Sequence, residues 1–163
     1  MPEDDGRRVT FEDGIVNGFD DAWHDAWWRQ MKESGGNIIA SYKMRMVSVE
    51  GDVVRMSVPY QPAARQGTGV FAAGVLMQLA DVAATSVCFE HLRRQEPDAE
   101  QLPFPLSVQI SMNLLRNTDR GTVFAETRLL HGGRRMMVAE SRLTDDAGRL
   151  LATMTSTHMV ARQ

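Results

Sequence analysis

Most apolar residues of this chain recur at every second position, the spacing of a half-buried strand, but one stretch obeys no such alternation. In Ala40–Val49, Tyr42, Met44 and Met46 alternate with Lys43 and Arg45; in Asp52–Val58, Val54, Met56 and Val58 alternate with Val53, Arg55 and Ser57. Glu50-Gly51-Asp52 reads as the turn between these two strands, and Pro59 and Pro62 end strand character. Four more runs follow at 106–116, 122–131, 135–144 and 149–160. In the first, Leu106, Val108, Ile110, Met112 and Leu114 share one face and Ser107, Gln109, Ser111 and Asn113 the other. Val123, Ala125, Thr127 and Leu129 share a face of the second run, and Met137, Ala139, Ser141 and Leu143 one of the third. His131-Gly132-Gly133 and Asp145-Asp146-Ala147-Gly148 supply hairpin turns.

The exception is Ala72–Leu92, which reads as a helix apolar nearly all round, with Val75, Leu76, Leu79, Ala80, Val82, Ala83, Val87, Cys88 and Phe89. A surface helix keeps a polar face, so this one must be enclosed. Strands joined by short turns make an antiparallel sheet, and that sheet can hide the helix only by curling around it. An extra helix is expected earlier, at Asp20–Ser34, capped by Asp20 or Asp21 and stopped by Gly35-Gly36. Its stripe of Trp23, Ala26, Trp27, Gln30 and Met31 suits packing on a sheet or second subunit, or an aromatic ligand box. Residues 1–17 read as a flexible arm and 18–163 as a single α+β domain.

Composition narrows the function classes. The 163 residues are 43% hydrophobic and 24% charged, enough for one real core. A formal charge of −3 gives no basic excess to attract nucleic acid or anionic lipid. No run is expected to reach the ~20 apolar residues of a membrane span. MPEDDGRR carries no apolar signal core, which together with a single cysteine points to the cytoplasm. Cys88, between Val87 and Phe89, reads as a buried structural thiol, the alternative being a nucleophile. His24, His91, His131 and His158 form no metal-ligand spacing with each other or with Cys88, so no metal is assigned.

Asp81 stands out in the enclosed helix. Burying an ionised carboxylate is costly without a partner, and its neighbours Met77, Gln78, Ala84 and Thr85 offer no cation. Gly74, Gln78, Asp81 and Thr85 fall along one line, a wet seam on a dry element. Such a carboxylate is either satisfied structurally by backbone or a partner chain, or it is a general base or nucleophile. Loop 66–73 runs into the helix start, whose unpaired N–H groups suit a developing oxyanion. Asp81 lies about two turns further along the line of Ala73 and Gly74, so that both could face one cleft.

These segments resemble the hotdog-fold thioesterases, in particular the phenylacetate-degradation (PaaI-like) branch and the mammalian small thioesterase-superfamily proteins. The likeness spans about residues 40–160. AAGVLMQLADVA, Ala72–Ala83, matches the stretch in which that branch has His-Gly-Gly followed, nine places after the His, by an acidic residue; Asp81 falls on it. SVQISMNLLRN matches a strand that ends Phe-Leu-Arg-Pro, here Leu114-Leu115-Arg116-Asn117, and Gly121 matches the glycine that restarts the chain. HGGRRMMVAESRLTDDAGRLLATMTSTHMV resembles the last hairpin, where the His131-Gly132-Gly133 turn is a decoy for the helix motif.

The resemblance implies a hotdog fold: a curved antiparallel sheet of about five to six strands wrapped around one long helix. It implies an acyl-CoA thioesterase, acting as a homodimer or a dimer of dimers (homotetramer), with coenzyme A entering only as part of the substrate. Asp81 would be base or nucleophile, an N–H of Ala73 or Gly74 would polarise the thioester carbonyl, and Ser107 would help place the water from the opposite subunit. Gln66 stands where the family often has a substrate-touching Asn, and Arg116, Arg134 and Arg135 are partners for CoA phosphates unless they are simply solvated. Ala72, Gln78 and Thr85 would line the substrate. Ala72-Ala73 replaces His-Gly, however, and this motivates a second reading, a non-catalytic hotdog protein that binds acyl-CoA or another small ligand. A dehydratase reading, which needs a histidine near the helix start, finds none there.

Overall fold

Short turns and one long crossover dictate the topology. The computed structural model describes residues 10–12, 15–17 and 38–160. Strands β1 (Thr10–Glu12) and β2 (Ile15–Asn17) form a two-stranded antiparallel ribbon. A helical turn, α1 (Ile38–Ser41), leads to β3 (Arg45–Glu50) and β4 (Val53–Pro59). The long helix α2 (Ala73–Gln95) follows, then β5 (Pro105–Leu114), β6 (Thr122–Gly132), β7 (Met136–Thr144) and β8 (Leu150–Val160). The six strands β3 to β8 make one antiparallel sheet in the order β3-β4-β6-β7-β8-β5. Helix α2 lies against β4, β5, β6, β7 and β8, as the apolar pattern of Ala72–Leu92 requires.

The core is continuous. Leu76, Leu79, Ala83 and Val87 of α2 meet Val54 and Met56 of β4, Val123 and Ala125 of β6, Met137 and Leu143 of β7 and Met154 of β8. Cys88 is part of this core, and burial pushes its thiol up to about 12, so it stays protonated and fits the structural reading. Gly121 has a φ of +71°, and a Cβ there would overlap the Asp146 carboxylate that accepts the Thr122 N–H.

Three expectations are corrected. The first strand begins at Arg45, because residues 38–41 coil into α1 and Lys43 turns the chain at a φ of +52°. Helix α2 runs to Gln95, where Arg94 reaches Gly51 O and the Asp52 carboxylate and so ties the helix end to the β3–β4 turn. At 23 residues α2 is also long and apolar enough to cross a membrane, but it is the core helix, 67% of its most apolar stretch being enclosed. The expected helix Asp20–Ser34 lies outside the described residues.

Candidate active site

As far as Glu90, helix α2 is enclosed except along one seam. Leu76, Leu79, Ala80, Ala83, Ala84 and Val87 have no exposure, whereas Ala73, Gly74 and Met77 are exposed and Gln78, Asp81, Val82 and Thr85 are half-buried. The line Gly74, Gln78, Asp81 and Thr85 is thus the part of the helix that the sheet leaves uncovered. The Gln78 side-chain oxygen is buried there without a hydrogen bond from the described residues.

Asp81 is held by Ser107, whose Oγ–H donates to Asp81 Oδ1 at 2.5 Å. The resemblance implies a Ser107 that acts from the opposite subunit, whereas here it reaches the Asp81 of its own chain. A β-bulge explains how. Ser107 pairs with His158 and Gln109 with Thr157, so Val108 is the extra residue on β5. The bulge reverses the alternation that places Leu106 to Leu114 on one face. Ile110 and Met112 pack on the core, while Leu106 and Val108 are 51% and 56% exposed. Ser107 is left on the side of α2, at the carboxylate.

Behind Ser107 stands a residue for which sequence reasoning finds no role. His158 on β8 has no exposure; its Nδ1 lies 3.4 Å from Ser107 Oγ and its Nε2 3.0 Å from Ser156 Oγ. The two-residue period of β8 carries only part of the signal, since it names no inner face by itself. Ala152 and Met154 face the core, and continuing that face brings in Ser156 and His158. Burial lowers the His158 pKa from the ordinary 6.5, against the opposing pull of the Asp81 carboxylate. As pH falls below 6.5 the unfolded chain therefore takes up a proton that the folded chain resists, and stability declines until the lower folded pKa is passed. Melting curves between pH 8 and about 5 should show a steeper loss for the wild type than for His158→Asn. Parallel slopes would refute the shift.

A cleft of about 320 Å³ opens beside the carboxylate, lined by Asp81, Val82, Thr85, Phe104, Pro105, Leu106 and Ser107. Its walls are mainly apolar, and Phe104 meets Phe89 with ring centroids 6.0 Å apart. The other residues named from the sequence stand outside this cleft. Ala72 is the helix N-cap with no side-chain cap, and the first-turn amides of Ala73 and Gly74 have no intrahelical partner. They lie seven to eight residues before Asp81, about 10–12 Å along the axis, too far for both to contact one carbonyl group. The cleft beside Asp81 therefore does not include the helix N-terminus of the same chain. Gln66 is exposed in a loop closed by its own backbone, with Gln66 N–H on Val70 O and Gly69 N–H on Gln66 O.

The arginines do not converge either. Arg116 donates to Leu150 O where β8 begins, whereas Arg135 O accepts the Val160 N–H where β8 ends. Those points are about 30 Å apart along the strand, so one chain cannot bring both to one phosphate group. Arg134 and Arg135 are exposed in the β6–β7 turn. Asn117 has a structural role: its side-chain N–H donates to Phe71 O and its Oδ1 accepts the Thr118 N–H, which fastens the start of α2 to the strand end.

The comparisons with known proteins agree with this architecture. No curated protein matches the sequence. Solved structures do match the fold. A thioesterase of Haemophilus influenzae superposes with a TM-score of 0.69 at 18% identity, covering 80% of this chain and 87% of that one. A mutant thioesterase of Pseudomonas aeruginosa gives 0.69 at 20%, covering 82% and 92%. A hypothetical thioesterase of Streptococcus pneumoniae, solved with coenzyme A, gives 0.63 at 18%, covering 74% and 90%. At such identities the likeness establishes the hotdog fold. The family model described as the thioesterase superfamily matches residues 68–152, more than half of the chain, and spans the seam, Asp81 and Ser107. This chain belongs to the thioesterase superfamily.

Proposed function

We propose that this protein hydrolyses an acyl-CoA thioester to the free acid and coenzyme A, in the manner of the phenylacetate-degradation branch. The observation that carries the reading is Asp81 itself: a half-buried carboxylate on the one uncovered seam of a core helix, gripped by Ser107 and opening on an apolar cleft. Ser107 occupies Oδ1, and Oδ2 has no donor among the described residues. That oxygen is available to take a proton from water, whose oxygen then attacks the thioester carbon; alternatively it attacks directly as nucleophile. The oxyanion that forms needs N–H donors about 3 Å away. The amides of Ala73 and Gly74 suit this need, but their distance from Asp81 along α2 means that they serve the carboxylate of a second copy.

The working unit is therefore a homodimer, alone or as half of a tetramer. The β5 edge supports this, since Leu106 and Val108 expose large apolar side chains on a strand that pairs only with β8. Gln66, at the same loop, and Gln78, with its unpaired oxygen, would line the shared site with Ala72 and Thr85. Arg116, Arg134 and Arg135 would meet the CoA phosphates from different subunits. The coenzyme A bound to the Streptococcus pneumoniae relative supports a CoA ligand.

The test is a panel of aliphatic and aromatic acyl-CoA esters assayed for free thiol, with mass determined by light scattering. Turnover of at least one ester by a dimer or tetramer is the expected result. One feature favours a second reading: Ala73 puts an exposed Cβ where the family's glycine leaves room for the substrate. Saturable binding of acyl-CoA without turnover across the panel would establish that alternative, a non-catalytic binding protein. A monomer would remove the shared site.

A further inference from the structure

Among the described residues, Asp81, Ser107, His158 and Ser156 form one unbroken chain of contacts that runs from the cleft into the fully buried part of the sheet. The steps are 2.5 Å from Ser107 Oγ to Asp81 Oδ1, 3.4 Å from His158 Nδ1 to Ser107 Oγ, and 3.0 Å from Ser156 Oγ to His158 Nε2. Its proton positions follow from donor counting. An ionised carboxylate only accepts, so the single Ser107 proton points to Asp81. His158 Nδ1 then faces lone pairs on Ser107 Oγ and can meet them only with a proton of its own. In a neutral ring this leaves Nε2 bare, and the Ser156 hydroxyl is placed to donate to it.

We propose that His158 is a positioning residue for the carboxylate: as the Nδ1–H tautomer it donates to Ser107 and thereby directs the Ser107 hydroxyl onto Asp81. Without that donor, Ser107 Oγ–H is free to rotate away or to bond solvent, and Asp81 loses the contact that fixes which of its oxygens faces the cleft. The bulge at Val108 belongs to the same device, since it is what holds Ser107 opposite His158 on the side of α2. His158 does not itself line the cleft and reaches it only through Ser107. This inference rests on the proposed hydrolysis for its effect on rate, though not for the hydrogen-bond chain itself.

Two measurements test it. Nitrogen NMR of the intact wild-type protein reads the tautomer directly, and the expected result is a protonated Nδ1 and a bare Nε2 in His158, the reverse of the preference of free histidine. In kinetics, His158→Leu should lower kcat about tenfold with KM nearly unchanged, the scale of losing one hydrogen bond to a transition-state group. His158→Asn, whose amide N–H can stand near the place of Nδ1–H, should restore most of the rate, which a merely space-filling role would not predict. A protonated Nε2 with bare Nδ1, or His158→Leu at wild-type kcat beside a dead Asp81→Asn, would overturn the positioning role and leave the hydrolysis reading intact. If Asp81→Asn is itself fully active, the role of Asp81 as base or nucleophile falls instead, and the tautomer alone decides the hydrogen-bond chain.

Discussion

Replacing Asp81 by Asn should cut kcat for the best acyl-CoA substrate by about 10²–10⁴, the usual worth of a positioned general base, with KM little changed. The substitution is nearly isosteric. Asn can still accept the Ser107 hydroxyl through its side-chain oxygen, so the 2.5 Å contact has a neutral replacement rather than a gap. What disappears is the capacity to take a proton or to attack carbon. The melting temperature should hold or rise, because a half-buried charge without a cationic partner costs folding energy that a neutral amide does not. Loss of rate with retained stability therefore separates chemistry from structure, the two readings that the sequence leaves open for this residue. A variant with wild-type kcat would end the case for Asp81 as base or nucleophile. A variant that has lost both rate and fold would instead mark it as a structural carboxylate.

The sequence showed most of the frame because the frame is made of long periodic signals. An apolar helix with no polar face has one solution in an antiparallel protein, and six strands bounded by Gly, Pro and Asp turns supply it. It also showed Asp81, since a lone carboxylate in such a helix violates the local pattern. What stayed hidden was set by tertiary contacts. Ile38–Ser41 has strand-like composition, yet its backbone bonds, such as Tyr42 N–H to Ile38 O, close a helical turn. The bulge at Val108 is a one-residue slip inside an unbroken alternation, and nothing local announces it. His158 sits in a strand where Thr153, Thr155 and Thr157 alternate with Ala152, Met154 and Ser156, a pattern too weakly contrasted to name an inner face by itself. The face is fixed by pairing: Ser107 of β5 on one side of His158 and Met137 of β7 on the other. The separation of Asp81 from the helix N-terminus follows from helix geometry alone, yet its meaning depends on Ser107 reaching the carboxylate from the same chain.

Phe71→Ala should be the most damaging change outside the cleft, costing about 3–5 kcal/mol of stability by the measure of buried aromatic truncations. Phe71 has no exposure and meets Tyr60 edge-on, with centroids 5.3 Å apart and planes at 75°. Its backbone is also the anchor of the loop that delivers α2: Phe71 N–H donates to Thr118 O, Phe71 O accepts from the Asn117 side chain, and Arg65 bridges to Phe71 across the loop. The Tyr60 hydroxyl bonds Gly69 O, so the same ring pair holds both ends of the stretch that carries Gln66. Removing the ring empties a core site two residues before the first turn of α2, whose amides are the candidate oxyanion donors. Stability and rate should therefore fall together, in contrast to Asp81→Asn, and Phe71→Leu should recover most of both by refilling the volume. Urea unfolding with parallel thiol-release assays on the two variants reads this pairing. A loss under about 1 kcal/mol for Phe71→Ala would show that the loop is held by its backbone bonds and not by the buried ring.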